Sequence, residues 1–90
     1  MKVTKKCTIV NSKGLHARAA AEVVSLVTQY DAEVTIHLDG NQAPADNLIH
    51  LLTLAAYQGK EVEISATGKD SEKAMSALIH LIENEFYEQN

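Results

Sequence analysis

Hydrophobic and polar positions change period several times along this chain, and each change marks an element. Lys5, Cys7 and Ile9 alternate with Lys6 and Thr8, which predicts a strand over residues 3–10. Asn11-Ser12-Lys13-Gly14 is a turn signal, with Gly14 free to take positive φ. Ala20, Val23, Val24 and Val27 then recur at helical spacing, predicting an amphipathic helix that ends near Tyr30-Asp31. Val34, Ile36 and Leu38 alternate with Glu33, Thr35 and His37 in a second strand. Asp39-Gly40 predicts a hairpin turn into a short third strand, and Pro44 breaks the regular pattern after it.

Asp46 or Asn47 can cap a second helix, in which Leu48, Leu51, Leu52 and Ala55 form the expected buried stripe and Gly59 the expected stop. Val62, Ile64 and Ala66 alternate with Glu61, Glu63 and Ser65 in a fourth strand. A last helix starts near Asp70 or Ser71 and buries Ala74, Ala77, Leu78, Leu81 and Ile82, while the acidic residues 83–90 are expected to fray from its end into solvent. The order is β-α-β-β-α-β-α. Strands with one polar face predict an α+β fold: one four-stranded antiparallel sheet with three helices on one face, an open-faced sandwich.

Ninety residues suit one domain over 1–90. The longest apolar stretch falls far short of a membrane span, and Met1-Lys2-Val3 leads into strand-like sequence and not into a signal peptide, so a cytoplasmic protein without direct membrane insertion is expected. The net charge of −4, with Lys5-Lys6 the only adjacent basic pair, argues against a nucleic-acid partner. A single cysteine, Cys7, allows no internal disulfide and reads as a buried, inert thiol. The four histidines lack metal-ligand spacing, so neither metal nor cofactor is expected. His37 and His80 read as solvated, and His50 falls where a surface role is open to it.

The chemically informative segment is Gly14-Leu15-His16-Ala17-Arg18-Ala19-Ala20-Ala21. His16 falls where the turn ends and the first helix begins. The first backbone N–H groups of a helix lack intrahelical acceptors, and the macrodipole adds positive partial charge, so this is an anion site that suits phosphate. The same field favours a neutral, nucleophilic imidazole. Arg18 brings a planar donor fork matched to phosphate oxygens. The plainer alternative is that His16 only caps the helix and Arg18 is a solvated charge.

Gly14-Leu15-His16-Ala17-Arg18, together with the spacing to Gly59, Ile64-Ser65-Ala66 and Gly68, resembles the histidine-containing phosphocarrier family, HPr, of the bacterial phosphoenolpyruvate-dependent sugar phosphotransferase system. The resemblance covers nearly the whole chain. It implies that His16 accepts a phosphoryl group on Nδ1, that Arg18 and the backbone of Ala17 and Arg18 hold its charge, that enzyme I is the donor, and that an enzyme IIA domain is the acceptor. It also implies partner docking on the second helix, through Leu48, Ile49 and Leu52. Such a chain is a stoichiometric carrier and not an enzyme, and a carrier that docks two partners in turn over one face is expected to be a monomer.

Two residues depart from the family pattern. Ala19 stands where proline is usual, which predicts an intact helix start with altered transfer rates. Asn47 stands where many Gram-positive members carry a regulatory serine, so control by a serine kinase is not expected there; Ser12, Ser25, Ser65, Ser71 and Ser76 occupy other positions. The competing readings are a relay in a non-transport, nitrogen-type branch and a regulatory binding module that has lost transfer. A free-standing enzyme fits worst, because no second acid–base group or cofactor motif accompanies the histidine in sequence.

Overall fold

A computed structural model describes residues 2–88 of the chain. Its elements are β1 (Lys2–Thr8), α1 (Ala17–Val27), β2 (Glu33–Leu38), β3 (Asn41–Pro44), α2 (Leu48–Thr53), β4 (Glu61–Thr67) and α3 (Ser71–Glu83), followed by a short turn, Glu85–Tyr87. The four strands form one antiparallel sheet in the order β1-β4-β2-β3. Cys7 pairs with Val62, Ile36 with Ile64, and His37 with Gln42. In this register the apolar members of each strand share one face, and the helices cover it. Helix α3 packs on β1 and β4, while α1 packs against α2 and α3. The expected open-faced α+β sandwich is the observed fold.

Its core is a continuous apolar cluster. Ile9, Ile36, Ile64, Val62, Leu51, Leu78 and Ile82 are among its most buried members, each side chain contributing about 1.5–3 kcal/mol relative to exposure. The β2–β3 hairpin turns on Asp39 and Gly40, both at positive φ (50° and 84°), as a two-residue turn matched to strand twist requires. Pro44 does not interrupt β3 but ends it, opposite Thr35 on the edge strand, where its missing N–H leaves no ladder bond unmade. His37 is half-buried on the open face, with Nε2 3.1 Å from the Ser65 hydroxyl, and so is less solvated than its alternation suggests; His80 and His50 are exposed.

The second helix departs most from expectation. It ends at Thr53, not near Gly59, and of the expected stripe only Leu51 is buried. Ala55 turns the chain at φ 53°, after which Leu54 and Ala56 point inward and Ala55 and Tyr57 outward. The short helix frees the Ala56 carbonyl to accept from Leu15 N–H at 2.9 Å, and lets Gly59 N–H donate to Ile9 at 2.8 Å. The loop thus clamps the end of β1 and the start of α1. An uninterrupted helix to Gly59 would have drawn the Gly59 N–H to the Ala55 carbonyl and away from Ile9.

The acidic tail also departs from expectation. After α3 the chain makes a turn at positive φ through Glu85, Phe86 and Tyr87 (57°, 56° and 58°), and Phe86 is buried in the core cluster. Consecutive left-handed residues without glycine are unfavourable, and burial of the aromatic ring offsets that cost. Tyr87 lies with its ring 6.1 Å from that of His80. The tail is therefore folded back onto the molecule through Glu88; Gln89 and Asn90 fall outside the described residues.

Candidate functional site

Three local features bring His16 to the head of α1. Asn11 and Gly14 close a turn, with Gly14 N–H donating to the Asn11 carbonyl at 3.2 Å. Gly14 adopts φ 66°, and a Cβ on it would stand 2.6 Å from the Ala56 carbonyl oxygen and 2.9 Å from Tyr57 Cα. Only glycine fits there, for conformation and for space. Leu15 is buried and anchors the segment in the core.

His16 is the residue at which α1 begins, in extended conformation, and its ring makes no capping bond. Its carbonyl accepts the first helical hydrogen bond, from Ala20 N–H at 2.8 Å. The N–H groups of Ala17, Arg18 and Ala19 therefore have no backbone acceptor among the described residues. The arrangement matches an anion cradle with a half-buried imidazole at its rim, the side chain being 27% exposed. Arg18 is exposed and makes no ion pair among the described residues, which leaves its guanidinium available to an incoming anion. His16 holds the N-cap position through its backbone alone, and its ring is free of capping duty.

Ala19 is the third residue of the helix and is fully buried. Asn47 is the cap of α2, accepting His50 N–H on Oδ1 at 3.0 Å. Leu48 and Leu52 are each 37% exposed and Ile49 is 67% exposed, so these three face outward along α2 and not into the core. The helix that carries them packs beside α1, and Tyr57, beyond its end, is exposed as well.

Sequence reasoning missed two members of the site. Nε2 of His16 lies 2.8 Å from Oε1 of Glu88, whose side chain is only 7% exposed. Nδ2 of Asn11 donates to that same oxygen at 2.9 Å and to the Gly14 carbonyl at 2.9 Å. Glu88 had read as a solvated tail charge. The signal that could have found it is Phe86, the chain's one phenylalanine, four residues beyond the buried Ile82. No group of three metal-ligating side chains occurs among the described residues. A groove of about 600 Å³ between α1 and α3, lined in part by Glu22, Leu26, Tyr30 and His80, does not reach His16. No helix among the described residues is long and apolar enough to cross a membrane.

The fold is an open-faced sandwich with a histidine at the N-terminus of its first helix, and comparison with known proteins gives it a family. Residues 3–84 match the family described as PTS HPr component phosphorylation site. Phosphocarrier protein NPr of Escherichia coli K12 is 38% identical over 89 residues, covering 98% of this chain and 99% of that protein. Phosphocarrier protein HPr of Xylella fastidiosa Temecula1 is 36% identical over 81 residues, covering 90% and 91%. The crystal structure of HPr-C-His from Thermoanaerobacter tengcongensis superposes with a TM-score of 0.88 at 34% identity, covering 100% of this chain and 99% of that one. The chain belongs to the HPr family of phosphotransferase-system phosphocarriers, whose members carry phosphoryl groups rather than turn over a substrate.

Proposed function

We propose that the chain accepts a phosphoryl group on His16 from phospho-enzyme I and passes it to an enzyme IIA domain. The observation that carries this reading is the imidazole at the head of α1, beside the amides of Ala17 and Arg18 and the guanidinium of Arg18, which have no backbone acceptor and no ion-pair partner, respectively, among the described residues. In the forward step the Nδ1 lone pair attacks phosphorus as the bond to the donor's nitrogen breaks. The helix amides and Arg18 hold the charge on the phosphoryl oxygens through the transition state. Transfer onward reverses the roles: the bond to Nδ1 breaks as the acceptor's nucleophile attacks. Each molecule is loaded and unloaded in turn.

Leu48, Ile49 and Leu52 supply the docking surface in this reading. Apolar side chains left outside the core, next to a charged reactive site, suit a partner that must approach the histidine closely. A serine kinase has no substrate hydroxyl at the head of α2, where Asn47 caps the helix. The reading places the carrier in the cytoplasm, as a monomer that meets donor and acceptor over one face.

A second reading concerns the acceptor alone. Relatives named NPr point to a nitrogen-type branch, while relatives named HPr stand beside them at comparable identity. The discriminating experiment presents the phosphorylated chain to purified enzyme IIA domains of both types and follows phosphoryl loss by native mass spectrometry. Preferential discharge to the sugar-type domain supports the transport role, and preferential discharge to the nitrogen-type domain supports the other. Discharge to neither would overturn the relay.

A further inference from the structure

We propose that Glu88 is a positioning residue that directs phosphorylation to Nδ1 of His16 by occupying Nε2. The inference rests on the phosphocarrier reading and deepens it. An imidazole offers two nitrogens, and a phosphoryl group can form a bond with either. Here Nε2 is engaged at 2.8 Å by a carboxylate that is itself nearly out of solvent. A carboxylate only accepts, so Nε2 carries the proton, and in the neutral ring the lone pair then lies on Nδ1. Nδ1 makes no hydrogen bond among the described residues.

Glu88 is held in this role from both sides. Asn11 donates Nδ2 to the same oxygen, and the burial of Phe86 fixes the turn that delivers the carboxylate. The arrangement serves both directions of transfer. When the Nδ1 lone pair bonds to phosphorus and the donor's bond breaks, the ring becomes a phosphoimidazolium that keeps its Nε2 proton. Its positive charge then lies against the Glu88 carboxylate. When the phosphoryl leaves, the electron pair of the N–P bond returns to Nδ1, and the ring is restored as neutral imidazole with Nε2–H still bonded to Glu88. No proton needs to enter or leave the site.

The test uses potassium phosphoramidate, a small donor whose P–N bond breaks with release of ammonia, so no partner protein is needed. Phosphorus NMR separates the two phosphohistidine isomers. The full chain should yield the Nδ1 isomer, while Glu88→Ala should lower the Nδ1-to-Nε2 ratio by about tenfold, the scale of one hydrogen bond to a charged group. Glu88→Gln keeps an acceptor oxygen and should restore most of the selectivity. An unchanged ratio in Glu88→Ala, or predominant Nε2 labelling of the full chain, overturns the proposal. Failure of the relay would appear separately, as a chain that phosphoramidate labels selectively but enzyme I does not.

Discussion

Asn11 and Glu88 lie 77 positions apart in the chain and meet at 2.9 Å, so one buried amide ties the C-terminal tail to the loop that presents His16. The Oδ1 atom of Asn11 has no partner among the described residues, and the bonding of this side chain lies in Nδ2. Asn11→Ala should therefore cost about 1–3 kcal/mol, the usual range for a lost buried hydrogen bond. Asn11→Asp should cost more, because it replaces the donor with a second carboxylate beside Glu88. Urea denaturation of the three proteins at pH 7 checks the ranking; equal stability would deny that the tail is fastened at this point.

Gly14→Ala should destabilise the fold by at least about 1–3 kcal/mol through its left-handed φ alone. The contact of the new Cβ with the Ala56 carbonyl adds to this and should also disturb the Leu15–Ala56 hydrogen bond. Hydrogen exchange at Leu15 reads that bond directly, and faster exchange in the variant is the expected result.

The outward face of α2 and its inward face should separate cleanly. Ile49→Ser is expected to change stability by no more than about 0.5 kcal/mol while slowing phosphoryl transfer from enzyme I. Leu51→Ala, one turn from the same helix start but fully buried, should cost about 2–5 kcal/mol. Thermal unfolding together with transfer rates distinguishes the two; a large stability loss in Ile49→Ser would remove this face as a docking surface.

Ala19→Pro should preserve the start of α1, because the N–H it removes makes no backbone hydrogen bond. The ring must, however, enter a fully buried site, so the orientation of the His16 segment and the transfer rate should change. Rapid-quench measurement of loading by enzyme I is the check, and a rate identical to the parent would mean that position 19 does not tune the site.

Burial pushes the Cys7 thiol up, with the nearby Glu83 carboxylate adding to the effect and a backbone hydrogen bond at Thr8 opposing it. The folded chain thus holds the thiol proton more tightly than the unfolded chain. The stability this provides is complete below the unfolded thiol's value of about 8.5 and is lost as pH rises from there through the folded value. Between pH 8 and 10, as order-of-magnitude bounds on that window, parent stability should fall more steeply than that of Cys7→Ala. Parallel pH profiles would show that the thiol does not contribute.

The sheet was legible because strand periodicity is a local signal: Ile36, Ile64 and Leu38 declare their faces without knowledge of their partners. His16 was legible for the same reason, since a turn followed by a helical stripe fixes where a helix begins. The end of α2 was not, because Leu52 and Ala55 continue a plausible helical stripe, and the left-handed turn at Ala55 that ends it leaves no mark on that pattern. Glu88 was hidden more deeply. A carboxylate in an acidic tail looks solvated until Phe86 is known to be buried and Asn11 is known to face it. The missing information was tertiary, and it concerned the residues that orient the histidine, not the histidine itself.

Whether His16 carries the phosphoryl group is read by intact-mass analysis after incubation with phosphoenolpyruvate and enzyme I. One acid-labile phosphoryl group is expected on the parent chain and none on His16→Ala. No phosphoryl gain by the parent, or equal gain by the variant, would contradict that expectation.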